Sequence, residues 1–129
     1  MNRMLIVCVV LFITCLNLPR LEAQQLPQVE ATGRGTVSDF AGNSSPALFE
    51  LRGTDGLTTM VRILAADFEY RIIIDGYGAD KKGANGNLVP CPNDDGNCFC
   101  ILTLSETEEQ MSGMCAGVLK FEISDIAQK

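Results

Sequence analysis

Apolar and polar residues alternate along several short stretches of this chain, in the pattern of half-buried β-strands. Three consecutive stretches, 47–52, 57–64 and 68–75, alternate in this way and are rich in Ile, Val, Thr and aromatic residues. Turn sequences containing Gly and Asp separate them. Because strands joined by short turns pair with their chain neighbours, the pattern predicts an antiparallel meander.

Further strands are predicted at 98–104 and 117–124, and the segment 36–40 is a candidate first strand. Residues 24–35 show no clear period and are predicted to be a loose entry segment. A capping-box sequence at 105–108, with Gly113 as a stop, predicts one or two helical turns between the last two strands. We therefore predict an all-β fold, a small antiparallel sandwich of six or seven short strands stabilised by disulfides.

The N-terminus has the three parts of a secretory signal peptide. A basic head precedes an apolar run over 4–18, and Ala23 is a small residue at the cleavage point. A membrane anchor is the alternative, but this run is shorter than the ~20 apolar residues that span a bilayer. We predict a signal peptide at 1–23, a single secreted β domain at 24–129, and no membrane span after cleavage.

Composition excludes several functional classes. The chain has 10 Lys and Arg against 16 Asp and Glu, a net charge of −6, which argues against nucleic acid as a partner. It has no histidine, which excludes Ser-His-Asp triads, Cys-His pairs and His-ligated metals. These observations predict a protein without enzymatic activity and without a cofactor.

Four cysteines, Cys91, Cys98, Cys100 and Cys115, remain after the predicted cleavage. In a short secreted chain they indicate two disulfides, for which three pairings exist. Cys98 and Cys100 are too close along an extended strand to bond each other. Of the two remaining pairings, we favour Cys91 with Cys98 and Cys100 with Cys115. The spacing does not match the paired Cys-x-x-Cys pattern of zinc modules.

A stretch rich in Gly, Asn, Asp and Pro, residues 76–96, is predicted to be a long loop. Tyr77 lies between two glycines at its start, where an exposed ring could stack on a sugar or a protein partner. Alternatively, Tyr77 covers the edge of the core while the glycines form a turn. Neighbouring polar side chains that could supply hydrogen bonds to a ligand are Asp75, Asp80, Asn85 and Asn87.

Two other polar sites are candidates for cation binding and modification. Asp94 and Asp95 could present oxygen ligands to calcium, although a tight polar turn between two cysteines explains the same residues and is favoured. Asn43 begins an Asn-Ser-Ser sequon beside Gly42 and Pro46, which predicts N-glycosylation on a surface loop. We therefore predict no metal site, and Asp94 and Asp95 are only weak candidates for calcium ligands.

The segment from Tyr70 to Ala79, Tyr-Arg-Ile-Ile-Ile-Asp-Gly-Tyr-Gly-Ala, resembles a signature of the farnesoic acid O-methyltransferase-like module. In that module the signature reads Tyr-Glu-Ile-Val-Ile-Gly-Gly-Trp-Gly-Asn, so Tyr77 stands where it has tryptophan. The module is an extracellular β-sandwich, and the resemblance implies a sandwich fold and a binding role. It implies no catalytic residue.

The sequence favours a secreted, non-enzymatic binding module that recognises an extracellular protein or glycan through the region between Gly76 and Cys98. A second hypothesis is a secreted effector, such as a venom component or inhibitor, whose Cys91 to Cys98 loop contacts a target protein. A third is an acidic component of an extracellular matrix or biomineral. The acidic composition fits all three, because it also serves solubility.

Overall fold

A computed structural model describes residues 26–104 and 109–128 of the chain. In this part there is no helix, and eight antiparallel strands form one sheet. Each strand pairs with the next and β8 pairs with β1, so the sheet closes into a barrel. The strands are β1 (Gln28–Ser38), β2 (Ser44–Thr54), β3 (Leu57–Ala65), β4 (Glu69–Tyr77), β5 (Gly83–Val89), β6 (Phe99–Leu104), β7 (Met111–Cys115) and β8 (Leu119–Gln128).

The all-β, antiparallel fold is confirmed, but the prediction of a six- or seven-stranded sandwich is wrong. Alternation shows which side chains share a face of the sheet. It does not show whether that face packs against a second sheet or lines the interior of a closed barrel. Closure depends on the β1–β8 ladder, which joins Ala31 to Gln128 and Ser38 to Lys120 from the two ends of the chain. Pairing of β1 with β8 leaves the sheet without edge strands, and its apolar face packs inside the barrel instead of against a second sheet.

Two strands occupy segments for which loops were predicted. β1 includes most of the predicted entry segment, and β5 lies inside the predicted loop 76–96. In each of these strands an inward-facing position is occupied by a buried glycine, Gly33 in β1 and Gly86 in β5. A large apolar residue at that position would have produced the apolar–polar alternation that predicts a strand. The alternation is therefore invisible in the sequence. The predicted capping box at 105–108 lies outside the described residues, as does the predicted signal peptide, and Gly113 belongs to β7 rather than ending a helix.

Large side chains fill one half of the barrel interior. The Phe49 and Phe121 rings lie 5.6 Å apart between centroids, and Ile63 and Ile72 are fully buried with them. Gly113 makes room for this packing, because a Cβ there would lie 2.4 Å from two ring atoms of Phe121. The resulting core is contiguous and close-packed, which is the main source of stability in a domain of this size.

The two ends of the barrel differ. We call the end where β2–β3, β4–β5 and β6–β7 are connected the mouth, and the opposite end the closed end. The β2–β3 connection is the predicted Gly-containing turn, with Asp55 and Gly56 both at positive φ as a two-residue hairpin requires. The Cys91–Cys98 and Cys100–Cys115 disulfides lie toward the closed end, so covalent links and bulky core residues are concentrated away from the mouth.

Candidate binding pocket at the mouth of the barrel

A pocket of about 480 Å³ opens at the mouth of the barrel. This volume is within the range of about 300–1,000 Å³ that is usual for small-molecule sites. The apolar wall is formed mainly by Ala31, Leu51, Ile74, Leu102, Met111 and Ile126. The polar groups at its rim are Glu30, Thr58, Tyr77, Lys81, Lys82 and Glu109.

The pocket exists because side-chain size changes along the barrel axis. Phe49, Phe121 and the Cys100–Cys115 disulfide fill the interior toward the closed end. At the mouth, the inward positions of β1 and β5 carry only the small side chains of Ala31 and Ala84. An eight-stranded barrel is just wide enough either to be filled by side chains or to hold one small ligand. This barrel is filled at one end and open at the other.

Tyr77 lies beside a gap in the barrel wall. The β3–β4 ladder ends at the pair Met60–Ile73, so the mouth-side ends of these strands are not joined by ladder bonds. The Tyr77 hydroxyl donates a hydrogen bond to the Thr58 carbonyl oxygen across this gap. The side chain is half-buried, and burial raises the pKa of Tyr77 more than the bond to Thr58 lowers it. The hydroxyl is therefore a neutral group at the pocket edge.

The β4–β5 loop next to Tyr77 has a defined hydrogen-bonded structure. The Gly78 N–H donates to the Gly83 carbonyl over 2.8 Å, and the Lys81 N–H donates to the Gly78 carbonyl over 3.0 Å. The Asp80 carboxylate accepts the Lys82 N–H over 2.9 Å, in the manner of an Asx turn. Lys81 has a φ of 60°, which is uncommon for a residue other than glycine, Asn or Asp. The loop thus presents both lysines at the rim.

The structure does not bring the five predicted binding residues to one place. Tyr77 lines the pocket and Asp80 shapes the rim loop, whereas Asp75, Asn85 and Asn87 are exposed outside the wall. On that outer surface the Asn87 amide donates to the Asp75 carboxylate over 2.6 Å. Of the two interpretations of Tyr77, the geometry is closer to the core-edge one, because its ring is half-buried and its hydroxyl is bonded within the protein.

The sequence contained no signal for the pocket itself. Its apolar wall combines residues from both ends of the chain, for example Ala31 of β1, Met111 of β7 and Ile126 of β8. None of the three lies in a strand predicted from the sequence: Ala31 is in the predicted entry segment, Met111 is in the predicted helical turns, and Ile126 follows the predicted strand at 117–124. Only closure of the barrel makes them neighbours around one cavity.

The cysteines pair as favoured from the sequence, Cys91 with Cys98 and Cys100 with Cys115. The first bridge joins Cys91, which follows β5, to Cys98, which directly precedes β6. The second lies between directly opposed residues of β6 and β7, with both cysteines fully buried. Two disulfides indicate folding in an oxidising compartment.

The loop between Cys91 and Cys98 is a tight polar turn. The Asn93 amide donates to the Asn97 carbonyl over 2.6 Å and to the Ala116 carbonyl over 2.9 Å. The Asp95 carboxylate accepts the Asn97 N–H over 2.9 Å, and Asp94 is exposed. Within residues 26–104 and 109–128, no cluster of three or more Asp, Glu, Cys or His side chains is arranged to hold a metal ion.

Asn43 lies on the exposed connection between β1 and β2. Its amide donates to the Asp39 carboxylate over 2.9 Å, and the N–H groups of Ala41 and Asn43 donate to the same carboxylate. The hydrogen bond from the Asn43 side chain is the largest cause of the lowered pKa of Asp39. Glycosylation of this exposed asparagine stays a prediction.

In the part of the chain that the structure describes, no helix is long and apolar enough to cross a membrane.

No family model matches the chain, no curated protein matches it, and no solved structure matches it. The resemblance at residues 70–79 therefore stays a prediction, and the functional argument depends on the geometry of the barrel.

Proposed function

We propose that this protein is a secreted binding module that holds one small molecule with an apolar part in the mouth of its barrel. The observation that carries the proposal is the contrast between the two ends of the interior. Large side chains fill the closed end, and an open pocket of about 480 Å³ with an apolar wall remains at the mouth. The signal-peptide sequence and the two disulfides support secretion.

The lining of the pocket suits such a ligand. Transfer of apolar ligand surface from water to this wall is favourable by about 25 cal/mol per Å². Polar groups occur at the rim, where they can orient a head group without an unsatisfied polar atom being buried. We propose binding without catalysis, because the chain has no histidine and the Tyr77 hydroxyl is bonded to a main-chain carbonyl.

The sequence favoured an extracellular protein or glycan as the partner, and the proposed ligand is instead a small molecule with an apolar part. Stacking of a sugar on Tyr77 requires an exposed ring, and this ring is half-buried at the pocket edge. A ligand that enters the pocket agrees better with that placement. Glycan or protein recognition through the region between Gly76 and Cys98 stays a separate prediction, as do the effector and matrix hypotheses.

A neutral fluorescent probe, Nile red, tests the proposal. We expect the oxidised mature protein to bind it saturably, with one probe per chain, and decanol to displace it. Ala84→Phe places a ring in the pocket and should weaken binding about tenfold. Ala127→Phe is the matched control, because it adds the same ring to an exposed strand position outside the pocket.

Thermal unfolding of both variants verifies that they are folded. Binding that is not saturable, or an equal effect of the two substitutions, would show that the pocket is not a ligand site.

A further inference from the structure

Among the described residues, two cationic and two anionic side chains line the pocket entrance. Lys81 and Lys82 are adjacent in the loop between β4 and β5. Glu30 belongs to β1, which is three strands from β4 and four from β5 in the ring of eight and so lies across the opening. Glu109 precedes β7 on the next connection around the rim. Both lysines that line the pocket therefore belong to the β4–β5 loop.

Lys81 is a cation available to a ligand. It lines the pocket and is exposed, and among the described residues no hydrogen bond or ion pair engages its side chain. Its main chain is held by the bond to Gly78 and by the turn through Asp80. Its positive φ is the kind of local strain that is concentrated at ligand clamps and switch regions. Among the described residues, the Lys81 ammonium group is thus unpaired at the edge of an apolar cavity.

We propose that the pocket takes an amphipathic carboxylate, whose apolar chain packs against Leu102, Met111 and Ile126 and whose carboxylate contacts Lys81. This inference rests on the proposed function and specifies the ligand for the same site. A carboxylate accepts hydrogen bonds and carries the charge opposite to the ammonium group, so it complements Lys81 in both respects. Repulsion from Glu30 across the mouth directs the carboxylate to the lysine side.

The orientation of the ligand follows from how deeply the apolar and charged side chains of the pocket are buried. Leu102, Met111 and Ile126 of the apolar wall are buried, whereas Lys81 and Glu109 are exposed. An ionised head group therefore stays in contact with water, and only the hydrocarbon part is desolvated. This arrangement avoids the large cost of burying a charge.

Displacement of Nile red by three ligands of equal chain length, decanoate, decanol and decylamine, tests the inference. We expect decanoate to bind about fivefold more tightly than decanol, which corresponds to one partly exposed ion pair. Lys81→Gln should remove that advantage and should change decanol affinity much less than decanoate affinity, because decanol carries no charge. Lys120→Gln is the charge-matched control, because Lys120 lies on the outer wall over the Phe40 ring, 5.3 Å from its centroid.

The outcomes separate this inference from the proposed function. Equal affinity for decanoate and decanol, or an advantage of decanoate that survives Lys81→Gln, would overturn the carboxylate assignment while the pocket remains a binding site. If decylamine bound most tightly, the carboxylate assignment would also be overturned, and recognition by Glu30 and Glu109 at the mouth would be indicated. Failure of all three ligands to displace the probe would contradict the proposed function itself.

Discussion

Tyr77 of β4 and Thr58 of β3 are joined by a hydrogen bond from the phenol hydroxyl to the main-chain carbonyl oxygen. The bond lies beyond the last ladder pair of these strands, Met60 with Ile73. A side chain thus makes the contact that main-chain pairing makes elsewhere in the barrel. This contact closes the wall beside the pocket, and Gly76 and Gly78 on either side of Tyr77 give it close neighbours without side chains.

Replacement of the tyrosine tests how much this contact stabilises the barrel. Tyr77→Phe keeps the ring and removes the hydroxyl, leaving the Thr58 carbonyl without that donor. We expect the free energy of unfolding to fall by about 0.5–1.5 kcal/mol, measured by urea denaturation. Tyr70→Phe is the control, because the Tyr70 ring packs on Phe68 and its hydroxyl makes no hydrogen bond among the described residues. Equal losses in the two variants would show that the Thr58 contact contributes nothing.

An ion-pair ladder on the outer wall should make stability depend on pH. Glu50 accepts from Arg52 at 2.8 Å and from Arg62 at 3.1 Å, and Arg62 also donates to Glu69 at 2.9 Å. Burial alone would raise the pKa of Glu50, but the hydrogen bonds from the two arginines outweigh it and hold the pKa below its ordinary 4.5. A carboxyl with a lowered pKa in the folded state stabilises the protein above its ordinary pKa, and this stabilisation is lost as the pH falls through the folded pKa.

Arg62→Gln should remove part of this dependence. At neutral pH we expect a loss of about 1 kcal/mol or less, because the pairs are partly exposed and screened by solvent. The difference from the parent protein should shrink as the pH falls below 4.5. Arg34→Gln removes the same charge from an exposed position without an ion pair among the described residues, and it should show no such trend. Parallel pH profiles for Arg62→Gln and the parent protein would contradict the prediction.

The two disulfides should differ in their resistance to reduction. Cys91 is exposed, whereas Cys100 and Cys115 are fully buried between β6 and β7. A thiolate reductant must reach a sulfur atom, so we expect Cys91–Cys98 to be reduced first under native conditions. Alkylation followed by mass mapping at increasing times of reduction measures the order. Earlier labelling of Cys100 and Cys115 would contradict the buried placement of their bridge.

Gly113 should be sensitive to substitution, because its missing side chain is part of the core packing. A Cβ at this position would lie 2.4 Å from the Phe121 ring, so Gly113→Ala forces the ring to move. We expect a loss of about 1–3 kcal/mol in the free energy of unfolding. Gly83→Ala is the control, because the nearest atom to its Cβ is the Leu102 carbonyl oxygen at 3.9 Å. A Gly113→Ala variant as stable as Gly83→Ala would show that the core can absorb the methyl group.

Local features of the chain could be predicted from the sequence because they depend on near neighbours. The predicted strand at 47–52 lies within β2, that at 57–64 covers nearly all of β3, and that at 68–75 overlaps most of β4. The Asp55–Gly56 turn and the disulfide pairing also agree, since hairpin geometry and the short reach between cysteines limit the choices.

Closure of the barrel and the pocket that it forms depend on contacts between residues far apart in the chain. Whether β1 meets β8 is decided by strand twist, tilt and register summed over the whole sheet. Alternation also gives no warning of a strand whose inward positions are glycines, as at Gly33 and Gly86. The same closure separates Tyr77, which lines the pocket, from Asp75 and Asn87 on the outer surface. Residue patterns along this chain therefore indicate β2, β3, β4, β6 and β8 and the disulfide pairing. The closed sheet determines which side chains share a site, because that requires all eight strands at once.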